Sequence, residues 1–303
     1  MNFKVSILGS GAALPTSTRN PTAQYIECNG RRILIDCGEG TQIQFRKYGV
    51  KFQRIEHIFI SHLHGDHYFG LVGLLSSMHL LGRKKSIEIY GAKELEEILR
   101  KQLEYGGSRL AFDIHFNVLE KNGSGVCFED DQLTISYFPL SHKVPTNGFV
   151  IQQKVKEAHL NIGRAEEDGV KIEYYHRLKK GEDITLENGK ILRSKTYTTP
   201  SDTPKSYAFC SDTCYFEPII PFIKNVDVLY HEATFTDDLS DRAKSTKHST
   251  ASQAATIAKK AKVGKLLMGH LSARYENGQK HFFEAKPIFE NCEVVEDGNE
   301  YLL

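Results

Sequence analysis

Short apolar runs with period-two alternation dominate the first third of the chain, interrupted by stretches whose apolar residues fall at helical spacing. Residues 3–8 read as a strand and 9–21 as a Gly/Pro-rich loop. Residues 22–28 and 31–35 flank Asn29-Gly30, a type I′ hairpin signal, because both residues tolerate positive φ. Residues 41–48 predict a helix, 56–61 a buried strand, 69–81 a helix and 86–90 a strand. An amphipathic helix follows over 92–105, with Leu95, Ile98, Leu99 and Leu103 on one stripe.

The middle is richer in strand patterns, at 132–138 and 149–153. Residues 154–180 are charged and poor in core character, and read as an excursion from the domain. Asn188-Gly189 joins a second hairpin, 183–187 with 190–193, ahead of a polar loop over 194–205. Strand and helix then resume: strands at 206–210 and 226–230, a helix over 249–261, and a strand at 265–268. This order predicts an α/β sandwich, helices outside and two mixed sheets inside.

With 303 residues, 40% apolar and 25% charged, the chain is long enough for one large α/β domain over 1–303 with the excursion inserted at 154–180. No apolar run approaches the ~20 residues needed to span a bilayer. The first residues lack a secretory cleavage pattern and read as the first strand, so a cytoplasmic protein is expected. Six scattered cysteines then read as reduced thiols. A net charge of +1 says nothing of a polyanionic partner, but Arg242 to Lys265 holds seven basic residues and no acid. Such a run is either a solvated helix face or an anion-binding surface.

The hexapeptide His62-Leu63-His64-Gly65-Asp66-His67 follows the apolar strand segment and puts four donors on one short loop. Imidazole and carboxylate together suit a borderline-soft divalent cation such as zinc. A two-cation site needs further donors. His142, Asp212 and His270 each follow an apolar strand, in the strand-end position where α/β folds assemble sites. Alone, each is an ordinary loop histidine or capping aspartate; with the hexapeptide they complete a donor set. Glu232, in His231-Glu232-Ala233-Thr234, also lies at a strand end. His248 precedes Ser249-Thr250, which can cap the following helix, and Lys244 and Lys247 share its loop.

These residues resemble the metallo-β-lactamase fold, through Ser61-His62-Leu63-His64-Gly65-Asp66-His67 with His142, Asp212 and His270. More narrowly they resemble ribonuclease Z, the zinc endonuclease that removes 3′ trailers from precursor tRNA. That match rests on residues 231–235, 248–250 and 269–275, on the opening 8–12, and on 36–42. The resemblance implies an αββα sandwich, with one zinc on His62, His64 and His142. A second zinc would sit on Asp66, His67 and His270, with Asp212 bridging. It further implies Asp66 as proton acceptor, His248 oriented by Glu232 as proton donor, and products with a tRNA 3′-hydroxyl and a trailer 5′-phosphate. Arg274, Arg19 and Asn20, with Lys244 and Lys247, would contact RNA, and the enzyme would be a homodimer. The 154–180 stretch takes the place of the family's tRNA-gripping arm, although it has no Gly-Pro and no proline. A small-ester or small-phosphodiester hydrolase on the same fold is the competing enzyme class. A non-catalytic RNA-binding or zinc-storage module is the third reading.

Overall fold

The computed structural model describes residues 3–303 and comprises two compact units, Gln153–Pro204 and the rest of the chain. The larger unit holds two seven-stranded sheets. The first runs, in spatial order, through Glu300–Leu302, Phe3–Gly9, Ala23–Cys28, Arg31–Ile35, His57–Phe59, Ile87–Gly91 and Ile114–Val118. The second runs through Cys292–Val294, Lys265–Gly269, Val228–Glu232, Ser206–Cys210, Thr146–Gln153, Leu133–Leu140 and Gly125–Glu129. Both are mixed: antiparallel hairpin pairs lead into parallel ones, Arg31–Ile35 with His57–Phe59 in the first and Ser206–Cys210 with Val228–Glu232 in the second.

Strand alternation explains the layers. Tyr207, Phe209, Tyr230 and Leu267 meet Val5, Ile7, Ile33 and Phe59 in one core between the sheets. Their strand neighbours Ala208, Leu229, Leu266 and Met268 point the other way, against Ala254, Ala255, Ile257 and Ala258 of the helix Ala251–Ala261. Alanines on that helix face let it approach the sheet closely. Leu34, Ile58 and Ile89 likewise pack on Phe45, Leu71, Leu74, Leu75 and Leu95 of the helices outside the first sheet. Helix, sheet, sheet, helix is the expected sandwich. Truncating one such leucine to alanine costs about 2–5 kcal/mol.

Most predicted elements stand within two residues of their sequence positions. The edge strands Ile114–Val118 and Gly125–Glu129 and the closing strands were not in the sequence reading, nor was the helix Gln279–Ala285. The edge strands are half exposed, so their apolar alternation is weak. No described helix is long and apolar enough to cross a membrane, and all six cysteines are free thiols.

The excursion differs from its sequence reading. Residues 154–180 fall within the longer unit Gln153–Pro204, which takes in the second hairpin and the helix Ser194–Tyr197 from the stretch read as a polar loop. It has a small core of its own, made of Ala165, Val170, Leu178, Ile184, Leu192 and Tyr197. Its apolar residues are spread over several short elements, which hides them from a periodicity argument.

Candidate metal centre

The hexapeptide turns off the end of His57–Phe59 and opens the short helix Gly65–Tyr68. Asp36, just beyond Arg31–Ile35, anchors it: the Ser61 N–H and Oγ–H donate to Asp36 at 2.7 and 2.9 Å, and His67 Nδ1–H donates to it at 2.6 Å. Close backbone approach requires Gly38, where a Cβ would collide with the Asp66 carbonyl. At the ends of the second sheet, Asp212 and His270 both adopt left-handed backbone, φ 63° and 57°. Non-glycine residues rarely occupy that region, and here it turns each side chain back over the strand ends. Gly269 precedes His270 because a Cβ there would enter the Tyr230 ring.

Two donor sets result. His62, His64, His142 and Asp212 place one ligand atom each within 4.8 Å of one another, as do Asp66, His67 and His270. In the first set His64 Nδ1 lies 2.9 Å from His62 Nε2 and 3.3 Å from His142 Nε2. Asp212 Oδ2 lies 3.7 and 3.4 Å from the same two Nε2 atoms. The other oxygen, Oδ1, faces the second set, 3.2 Å from His67 Nε2 and 3.1 Å from His270 Nε2. Asp66 Oδ2 stands 3.5 Å from both of those nitrogens and accepts the Ala13 N–H at 2.9 Å.

Hydrogen bonds fix four of the five imidazole tautomers. Ser61 and Thr234 spend their hydroxyl protons on Asp36 and Glu232, so their oxygens accept Nδ1–H from His62 at 3.0 Å and His270 at 3.0 Å. His67 donates to Asp36, and His142 Nδ1–H donates to the Lys247 carbonyl at 2.9 Å. All four Nε2 atoms therefore face the centre, the arrangement that supporting groups give metal-bound histidines.

Charge and chemistry fit divalent cations. Burial holds His62 well below the ordinary imidazole value and lowers His64 and His142, keeping them neutral and ligand-competent. Burial opposes ionisation of Asp66 and Asp212, but neighbouring histidines outweigh it and hold both carboxylates ionised. Nε2 of His67 and of His270 are buried with no hydrogen-bond partner. Leaving such atoms bare is costly, and a cation satisfies them. A tetrahedral site with metal–nitrogen bonds of ~2.0–2.1 Å has edges of roughly 3.3 Å, close to the donor spacings here.

Beside these sets stands a proton-handling pair. Glu232, last residue of Val228–Glu232 and fully buried, accepts His248 Nδ1–H at 2.8 Å. It also accepts the Thr213 N–H, Ser249 N–H and Thr234 Oγ–H at 2.8, 3.1 and 2.6 Å. Burial works against a charged His248, but the Glu232 carboxylate overrides it and raises the imidazole to about 9. Thr250 caps the following helix in a reciprocal pair with Gln253. Ser249, the other expected cap, instead donates to the Thr213 carbonyl. His231 stays in the core, donating to the Glu232 carbonyl at 2.7 Å.

Two of the expected RNA contacts are engaged in hydrogen bonds within the fold. Arg19 is 5% exposed, and its guanidinium donates to the Tyr275 and Glu276 carbonyls at 2.7 and 3.2 Å. Asn20 donates its backbone and side-chain N–H groups to Asp297 at 2.8 and 3.0 Å. Arg19 is thereby turned inward as a structural tie, and Asn20, half-buried, is tied to Asp297. Lys244, Lys247 and Arg274 remain exposed, Arg274 lying 5.5 Å from the Phe235 ring centroid. Sequence reasoning missed the supports Asp36 and Thr234. Asp36 also follows an apolar strand, the same signal that found Asp212 and His270.

A family model described as anti-Pycsar protein Apyc1 matches residues 3–158, which contain the hexapeptide and His142 but not Asp212, Glu232, His248 or His270. A ribonuclease Z of Parabacteroides distasonis is 42% identical over 297 residues, 98% of each chain. Among solved structures, the short form of human tRNase Z superposes with TM-score 0.71 at 28% identity, covering 98% of both chains. A metallo-β-lactamase fold protein of Bacillus subtilis, YhfI, shares the fold with TM-score 0.69 at 18% identity over the whole of both chains. Identity at this level over nearly the whole length of both chains places the chain in the ribonuclease Z family, on the metallo-β-lactamase fold.

Proposed function

We propose that this chain is an endoribonuclease that cuts the 3′ trailer from precursor tRNA, working as a zinc enzyme with two cations per subunit. The observation that carries this reading is the Glu232–His248 pair lying against two donor sets that share Asp212. His62, His64 and His142 would hold one cation, Asp66, His67 and His270 the other, and Asp212 would bridge. Two bound cations lower the pKa of water and neutralise charge developing on phosphate.

The protein's own groups supply the rest. Hydrolysis joins a water oxygen to phosphorus and breaks the P–O3′ bond, whose electron pair leaves with the tRNA. Asp66, held ionised and fixed by the Ala13 N–H, accepts the proton of the attacking water. His248 delivers a proton to the departing 3′ oxygen, and Glu232 keeps it charged and aimed. The tRNA retains a 3′-hydroxyl and the trailer a 5′-phosphate.

Lys244, Lys247 and Arg274 would contact the RNA backbone, and the excursion over 154–180 would grip the tRNA body. A cytoplasmic homodimer is the form this reading expects. Cleavage of a precursor tRNA compared with bis(p-nitrophenyl) phosphate tests it. A single cut at the trailer junction is expected, whereas turnover of the small diester with none of the tRNA would reject it.

A further inference from the structure

His248 lines a second feature besides the metal centre: a cleft of about 400 Å³ whose walls include Tyr215, Asp241, Lys244, Lys247 and Gln253. Building on the tRNA-processing reading above, we infer that this cleft holds the last nucleotide of the tRNA body, its base on Tyr215 and its 5′-side phosphate near Lys244 and Lys247.

The proton of the leaving group fixes the placement. A donor to the departing O3′ must lie beside the sugar that carries it, and that sugar belongs to the tRNA, not to the trailer. His248 has one edge tied to Glu232, and its ring centroid lies 5.0 Å from that of His142 and 5.5 Å from that of His270. The cleft continues outward from this same imidazole. Its volume falls in the small-ligand range of roughly 300–1,000 Å³, enough for one nucleotide.

The walls suit that occupant. The Tyr215 hydroxyl donates to Glu217 at 2.6 Å and receives Lys260 Nζ–H at 3.2 Å, which holds the ring in a fixed orientation. Gln253 has its Oε1 committed to the Thr250 N–H, so its NH₂ is the part left to donate to a base. The Lys247 carbonyl is pinned by His142, and its backbone is left-handed at φ 62°. Two ammonium groups against the single Asp241 carboxylate leave the cleft net positive, as a phosphate requires. Stacking on an aromatic ring is indifferent to base identity, because every base has a π face. Tolerance of any final base is therefore expected, but not of a missing one.

The test uses metal-loaded full-length enzyme and three precursor tRNAs: intact, abasic at the last tRNA nucleotide, and abasic at the first trailer nucleotide. The first abasic substrate is expected to lose about tenfold in kcat/KM with wild-type enzyme, and the second to cleave like the intact one. Tyr215→Ala should lose the same factor on intact RNA and little more on the first abasic substrate, while Tyr215→Phe restores cleavage. Equal cleavage of the intact and first abasic substrates, losses that multiply, or a loss confined to the trailer abasic would overturn the inference. Because all three substrates are compared on wild-type enzyme, the outcome stands even if Tyr215→Ala misfolds. Failure to cut any precursor would instead reject the tRNA-processing reading, and this inference with it.

Discussion

The metal centre and the unit Gln153–Pro204 represent opposite ways of spending sequence. At the centre almost every polar atom is buried and doubly constrained: Asp36 holds three donors, Glu232 five, and Asp212 and His270 accept unfavourable backbone angles. The smaller unit has a core of six residues, and its ion pairs, such as Arg177 with Glu182 and Lys179 with Glu157, lie exposed at the surface. Exposed pairs contribute about 0–1 kcal/mol. Chemistry demands geometry fixed to a fraction of an ångström, so the fold over-determines it. An element that only grips substrate, the role proposed for this unit, needs only to exist as a folded unit.

The sharpest way to break this comparison is Asp212→Ala. Loss of both cations and of cleavage is expected, and metal analysis that still finds two per chain would show that the carboxylate does not join the two sets. Next, His248→Ala should slow kcat about 10²- to 10⁴-fold with little change in tRNA affinity, since a proton donor acts in the transition state. An equal loss of affinity would reduce His248 to a phosphate contact.

The pH profile sharpens the same point. In the proposed reaction protonated His248 is the working form, so activity should hold below its raised value of about 9 and fall as pH rises through it. Glu232→Gln removes the charge that opposes burial, and the alkaline limb should move toward lower pH; an unmoved limb would assign it to another group. Asp36→Asn should weaken metal affinity about 10- to 100-fold, the usual effect of removing an outer hydrogen-bond partner, measured by competition with a chelator.

In the smaller unit, Leu178→Ala removes about 2–5 kcal/mol from a core of six residues. KM for precursor tRNA should rise while turnover of bis(p-nitrophenyl) phosphate stays level. A parallel fall in both would mean that the unit supports the centre itself. Arg177→Ala, at the weak end, should shift unfolding by less than about 1 kcal/mol.

Periodicity found the elements with strong patterns: Ser206–Cys210 sends alternate residues to two different cores, and Ala251–Ala261 turns one apolar face to a single core. It missed Ile114–Val118 and Gly125–Glu129, where half-exposed edges blur the pattern. It set residues 154–180 apart from the domain but not the rest of that unit to Pro204, whose six core residues come from several short pieces. The resemblance offered Arg19 as an RNA contact; only folding shows the two carbonyls to which its guanidinium donates.

By itself the sequence determined which residues can carry chemistry, because donor type and strand-end position are local properties. Tertiary structure alone decided which atom of each residue is offered. The His67 tautomer depends on Asp36, 31 positions away, and that of His142 on the Lys247 carbonyl, 105 away. A hydrogen bond across such separations forms only once the sheets have closed, so no local pattern encodes it.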